Sequence, residues 1–108
     1  MKFKEIFYQA IDGKKKLKVT FFSKEDNSSL TRLCAPFDIG PSSRATDKTN
    51  RYHFWDYDSD KRSHTLSLLD TQVINIEILE ESFSPEDIIN WNFKENSWFY
   101  KRNWGPYS

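Results

Sequence analysis

The chain is poor in the residues that cross-link or break small folds. Its 108 residues include 1 Cys, 3 Gly and 4 Pro. A single cysteine, Cys34, excludes an internal disulfide and a zinc site built on cysteines. So little Gly and Pro is unlike the composition of disordered or low-complexity chains. A chain of this length fits one domain with a single core.

Long apolar stretches are also missing. The first five residues are charged and lack the apolar core of a signal peptide. No apolar run approaches the roughly 20 residues that span a bilayer. The three glycines lie far apart, so no Gly-rich phosphate loop is present. We therefore expect a cytoplasmic protein without a membrane partner and without a cofactor.

The charges balance in number but not in position. Residues 1–55 carry 11 Lys and Arg against 6 Asp and Glu, whereas residues 56–108 carry 5 against 10. The imbalance indicates a basic face for an anionic ligand, two complementary surfaces, or two halves that interleave on folding. Aromatic residues are plentiful, at 9 Phe, 5 Tyr and 4 Trp, so we expect a core rich in rings.

Hydrophobic periodicity predicts one helix and five strands. Apolar residues recur at helical spacing from Phe3 to Ile11, which predicts a helix over about residues 2–12, with Gly13 just after its end. Alternating apolar and polar residues predict strands. We place these strands near residues 17–22, 30–36, 52–57, 64–68 and 73–79. The polar segment 38–50 is predicted to be the longest loop.

The C-terminal part combines a helix start with an aromatic tail. Ser84 and Pro85 are typical of a helix N-terminus, which predicts a short helix over about residues 85–91. Residues 91–107 contain aromatic residues that we expect to pack in the core or at an interface, with one more strand near 98–101. The element order predicts an α+β fold, a small barrel or strongly bent antiparallel sheet of about five strands.

Several segments follow one another in a familiar order. From Gln9 to Phe21, a helix ends in Ala-Ile, a basic turn follows, and a strand ends in an aromatic residue. The run from Arg32 to Pro36 has the pattern Arg-x-x-x-Pro. An aromatic segment at residues 51–58 and a strand ending before Ser84-Pro85 complete the series. In this order the segments resemble the WYL domain family.

The resemblance implies a fold and a role. WYL domains are SH3-like barrels found in bacterial transcription and defence regulators, where they are thought to sense nucleotides or nucleic-acid ends. It implies a single WYL-like domain over 1–108, with the barrel at about 14–83 and a helical and aromatic extension at 84–108. The ligand-binding residues that we predict are Arg32, Arg51, His53 and His64.

Basic residues near aromatic rings are the second candidate set. Charge for phosphate and a flat ring for the base are what single-stranded nucleic acid requires. A solvated turn is the alternative for the lysines that follow Gly13. The candidate nucleic-acid contacts are Lys16, Lys18, Arg44, Lys101 and Arg102.

The sequence shows little sign of a catalytic site or a metal site. His53 and His64 fall on adjacent predicted strands and could be cross-strand neighbours, but they lack a ligand spacing. The acidic run Asp56 to Asp60 lacks the glycine and glutamate of a calcium loop, so it is interpreted as a solvated turn. Cys34 is interpreted as a small buried hydrophobic residue. We expect no enzyme and no metal site.

Two functions remain open. The first is a regulatory module that binds a nucleotide, a nucleic acid or another anionic ligand and signals to a partner regulator protein. The alternative is a protein-protein interaction module, forming a homodimer or a complex through an edge strand or the aromatic tail. The family's two arginines on one strand have no counterpart in residues 66–73, and the alternative is a barrel that has lost ligand binding.

Overall fold

Alternating apolar residues form the strands of a single sheet. The computed structural model describes residues 1–42, 46–59, 64–89 and 98–108. Its helices and strands are α1 (Lys4–Gly13), β1 (Lys15–Ser23), β2 (Ser28–Pro41), β3 (Asn50–Asp56), β4 (Thr65–Leu69), β5 (Val73–Ser82) and α2 (Pro85–Ile88). Short 3-10 turns occupy Asp70–Gln72 and Gly105–Tyr107.

The sheet is antiparallel, with the strand order β4-β3-β2-β1-β5. The long strand β2 joins the two sides of the sheet. Its first part pairs with β1, and its second part pairs with β3 from Cys34 onward. A register shift between Pro36 and Asp38 adds an extra residue there, and such bulges bend a strand. The predicted fold class, an α+β fold with a small barrel-like antiparallel sheet and two helices, is confirmed.

The predicted end of β2 was wrong. The sequence placed the end of this strand at Pro36 and a loop from residue 38, whereas β2 continues to Pro41. Proline lacks the N–H that a central strand normally donates. Here the bulge beside Pro36 accommodates it, and the ladder with β3 resumes at Asp38.

Helix α1 lies against the core of the barrel. It buries Phe7, Ala10 and Ile11, and the Phe7 ring lies 5.4 Å from the ring of Tyr52 and 5.3 Å from that of Phe54, between ring centroids. The helix also runs one residue further than predicted. Lys14, not Gly13, adopts the left-handed conformation after the helix, with φ at 54°.

The uneven charges meet where β1 pairs with β5. The Nζ of Lys16 lies 3.1 Å from a carboxylate oxygen of Glu81, and Lys18 stands opposite Glu77 in the ladder. Basic residues of the first half thus face acidic residues of the second half. Of the three interpretations of the charge pattern, this pairing favours interleaved halves.

The C-terminal part differs in detail from its prediction. Helix α2 ends at Ile88, and the Ser84 side chain makes no capping hydrogen bond. Residues 98–101 form no strand, although Trp104 further along is buried. Residues 90–97, which include part of the predicted helix and two tail aromatics, lie outside the described residues. In the part of the chain that the structure describes, no helix is long and apolar enough to cross a membrane.

Candidate functional site

A groove opens between the β1–β2 hairpin and the described residues at the end of β3 and the start of β4. Its volume is about 360 Å³. Phe21 and Leu30, which face each other across β1 and β2, form one apolar wall, and Leu66 of β4 forms another. The groove also contains Arg32 and His64, so the fold brings together two of the four predicted ligand-binding residues.

Arg32 is held by the turn after β3. Its Nη1 donates a hydrogen bond to the backbone carbonyl of Asp58 over 2.9 Å. The Asp58 carboxylate in turn accepts the backbone N–H of Leu33 over 2.6 Å. Arg32 therefore braces this turn while its half-buried guanidinium lines the groove.

His64 has a fixed ring orientation. Its Nδ1 lies 2.8 Å from the Asp56 carbonyl oxygen, and because a carbonyl only accepts, Nδ1 carries the proton. The ring also stacks on Trp55, with centroids 4.7 Å apart and planes at 19°. The other nitrogen, Nε2, has no hydrogen bond to any described residue. It is an acceptor in the neutral ring and a second donor in the imidazolium.

Asp56 is a site residue that sequence reasoning missed. The acidic run was interpreted as a solvated turn, but Asp56 ends β3 and is only 6% exposed. Alternation could have shown this, because Tyr52, Phe54 and Asp56 share the inward face of β3. Burial raises the pKa of the Asp56 carboxyl, and the N–H of Asp58 opposes that shift with a 2.9 Å hydrogen bond to Oδ1.

Arg51 and His53 lie away from the groove. Arg51 donates to both carboxylate oxygens of Asp47, over 3.1 and 3.3 Å, and these hydrogen bonds lower the pKa of that exposed carboxyl. The two ring nitrogens of His53 lie 2.7 Å from the Ser67 hydroxyl and 2.9 Å from the Gly40 carbonyl. Both nitrogens are thus occupied within the fold.

The predicted pairing of the two histidines was wrong. His53 stands opposite Ser67 in the β3–β4 ladder, whereas His64 precedes β4 and approaches the backbone of Asp56. Among the described residues, no group of three His, Cys, Asp or Glu side chains could hold a metal ion. Cys34 is fully buried, as the sequence predicted, and burial raises the pKa of its thiol.

The basic residues predicted to contact nucleic acid have different environments. Lys16 is paired with Glu81 and lies 4.6 Å from the centre of the Tyr57 ring. Lys18 and Lys101 are exposed on different elements. The side chain of Arg102 is fully buried, which leaves it without access to a phosphate at the surface. Arg44 lies outside the described residues.

Comparisons with known proteins add no relative. No family model matches the chain, no curated protein matches it, and no solved structure matches it. The resemblance to WYL domains therefore stays a prediction from the sequence.

Proposed function

We propose that this domain is a regulatory ligand-binding module whose groove holds a small anionic ligand. The observation that carries the proposal is that Arg32 and His64 line one groove with apolar walls. A guanidinium and a neighbouring imidazole suit an anionic group, and apolar walls suit the body of a small molecule. This proposal keeps the function predicted from the sequence and assigns it to the groove.

The structure favours a compact ligand over an extended nucleic acid. Binding along a nucleic-acid strand needs a continuous basic surface. Here Lys16 is already paired and Arg102 is buried, so these two candidates are not open to a nucleic-acid strand. A nucleotide or another small anion remains the ligand class of this proposal.

A bound ligand would connect two parts of the barrel. The groove lies between the β1–β2 hairpin and the turn after β3, which Arg32 already braces. A ligand that contacts both would favour one relative arrangement of the two, and a partner protein would respond to that arrangement. By the sequence resemblance, we place this signalling in cytoplasmic regulators of bacterial transcription or defence.

Thermal unfolding at low salt tests the proposal. Inorganic phosphate, AMP and octanoate serve as anionic probes. A probe at about 100 times its dissociation constant stabilises the fold by roughly 2.7 kcal/mol, which raises Tm by several degrees. Arg32→Ala should abolish that rise, because it removes the guanidinium from the groove.

The control is Arg51→Ala, which removes an arginine from the surface outside the groove. It should leave the ligand-dependent rise in Tm unchanged. Arg32→Lys keeps the charge and separates loss of binding from loss of the brace on Asp58. A rise that survives Arg32→Ala, or one that Arg51→Ala removes equally, would contradict the proposal.

A protein-interaction module is the second candidate. Within the described residues β5 pairs only with β1, and Ile74 on β5 is 52% exposed. An apolar side chain on an edge strand is typical of a pairing surface. Light scattering of the wild type and of Ile74→Lys tests this candidate. A dimer that Ile74→Lys dissociates would support it, and a monomer would oppose it.

A further inference from the structure

The groove holds charges of both signs. Among the described residues, its lining includes the carboxylates of Glu25, Asp26 and Asp56 beside the basic groups of Arg32 and His64. This described lining offers partners to a ligand that carries both a negative and a positive group.

The two exposed acidic groups and the basic groups occupy different ends of the groove, whereas the buried Asp56 lies near Arg32 and His64. Glu25 and Asp26 lie in the turn of the β1–β2 hairpin, which closes at the pair Ser23 and Ser28. Arg32 follows four residues after Ser28 on β2, a separation of roughly 13 Å along an extended strand. The apolar pair Phe21 and Leu30 lies between the two ends.

The individual acidic groups have different roles. Asp56 is buried and accepts the N–H of Asp58, so it serves the turn and not a ligand. Asp26 accepts the Ser23 hydroxyl at Oδ2 over 2.8 Å, which orients the carboxylate. Glu25 and Asp26 are both exposed, so a bound amine could approach them.

We propose, building on the function proposed above, that the ligand is a dipolar small molecule. Its anionic group binds Arg32 and His64, and its amine binds Glu25 and Asp26. An apolar body between them packs on Phe21 and the neighbouring apolar walls. A volume of about 360 Å³ is at the lower end of ligand pockets, which fits a molecule of this size.

Three probes that differ only in their end groups test the proposal. These are ω-aminooctanoate, octanoate without the amine, and octylamine without the carboxylate. Calorimetric titration at low salt measures the dissociation constant of each. We expect ω-aminooctanoate to bind about fivefold more tightly than octanoate, since an exposed ion pair contributes up to roughly that factor. Shorter ω-amino acids should lose this advantage, because they cannot reach both ends.

A double variant isolates the acidic end. Glu25→Gln combined with Asp26→Asn should remove the advantage of ω-aminooctanoate over octanoate, while octanoate itself should bind no more weakly, because two negative charges leave the groove. Glu80→Gln, which removes an exposed carboxylate on β5 outside the groove, is the matched control and should change neither. Adding salt should reduce the advantage of the dipolar probe.

The outcomes separate this inference from the proposed function. Equal affinities for octanoate and ω-aminooctanoate, both dependent on Arg32, would overturn the dipolar ligand and leave the anion site standing. Tighter binding of AMP than of ω-aminooctanoate would do the same. Failure of all anionic probes, including AMP and phosphate, would overturn both proposals. An advantage that persists in the double variant would overturn the assignment of the amine to Glu25 and Asp26.

Discussion

Strand β2 carries an arginine–aspartate cluster near each of its ends, and the two clusters differ in one respect. Near its C-terminal end, Asp38 of β2 pairs with Arg102 of the tail, and the Arg102 side chain is fully buried. Nearer its N-terminal end, Arg32 lies close to Asp56 and remains half-buried beside an open groove. The first cluster is closed to solvent, and the second borders an open groove.

The closed cluster attaches the tail to the barrel. The Asp38 carboxylate accepts the backbone N–H groups of Phe99 and Tyr100, over 2.7 and 2.9 Å. The Arg102 guanidinium lies between the rings of Trp98 and Trp104, with its Cζ 4.1 and 4.6 Å from their centres. Such cation–π contacts and the ion pair offset the loss of hydration.

Burial decides the role of an arginine in this fold. It lowers the pKa of Arg102 to about 10, with Asp38 opposing the shift, so the group stays charged at neutral pH. Its Nε and Nη1 donate to the carbonyls of Tyr100 and Phe37. The sequence predicted a ligand-binding role for Arg32 and a nucleic-acid contact for Arg102. Arg32 borders the groove, whereas the side chain of Arg102 is fully buried.

The largest expected effect is a loss of stability when the buried aromatic side chain of the tail, Trp104, is removed. The exposed Phe99 provides the comparison. Trp104 is 2% exposed and its indole N–H donates to the Ile11 carbonyl over 2.8 Å, whereas Phe99 is 65% exposed. Trp104→Ala should lower the free energy of unfolding by roughly 3–5 kcal/mol, because it empties a core site and removes that hydrogen bond. Urea denaturation of the full chain measures the loss.

Phe99→Ala is the matched control and should cost less than about 1 kcal/mol. Its ring approaches Gly40 so closely that a Cβ there would meet it, but the ring is otherwise exposed. Equal costs for the two variants would show that the tail is not part of the core. If Trp104→Ala is instead fully unfolded, the tail contributes more to the free energy of unfolding than the expected range.

The closed cluster should respond to loss of one partner more than to loss of both. Arg102→Met leaves Asp38 buried without its cation, which typically costs about 3 kcal/mol or more. Adding Asp38→Asn removes the unpaired charge, so the double variant should be more stable than Arg102→Met alone. Thermal and urea unfolding of the two single variants and the double variant measure this coupling.

Lys101→Ala is the control for the arginine variant. Lys101 precedes Arg102 and is exposed, so this change should alter stability by less than about 0.5 kcal/mol. If the double variant is as unstable as the two single losses added together, Asp38 and Arg102 act independently and do not form a coupled pair in the closed cluster.

Local patterns predicted the elements better than their ends. Apolar spacing identified α1 and alternation identified the five strands, since each signal is carried by neighbouring residues. The length of β2 was missed because Pro36 usually ends a central strand, and only its pairing with β3 reveals the bulge. The strand order could not be predicted from local patterns either, because it depends on the pairing of β1 with β5, which lie far apart in the chain.

The two clusters were harder to predict because their contacts are long-range. Asp38 and Phe99 are 61 residues apart, and no local pattern pairs them. Arg32 and His64 were predicted individually, but their shared groove depends on how β2 and β4 flank β3. The buried Asp56 was detectable by alternation with Phe54, yet the acidic residues after it obscured that signal.

The smallest expected effect concerns Asp56 at the open cluster. Its folded-state pKa lies above the ordinary value of 3.8, chiefly because burial disfavours the carboxylate. Below pH 3.8 the carboxyl is protonated in both the folded and the unfolded state, and its contribution to stability is complete. As the pH rises through the folded-state pKa, the buried carboxyl must ionise, and that contribution is lost. Asp56→Asn keeps an acceptor for the Asp58 N–H without a titrating group.

At neutral pH the Asp56→Asn variant should be slightly more stable than the wild type, and its advantage should shrink as the pH falls toward 3.8. The backbone N–H of Asp58, Arg32 and His64 all favour the charged carboxylate and limit the size of the effect, while the Asp58 carboxylate opposes it. Urea unfolding of both proteins from neutral to acidic pH measures the difference, and shared titrations cancel. An advantage that grows on acidification would mean that Arg32 and His64 outweigh burial, making the open cluster an ion pair like that of Asp38 and Arg102.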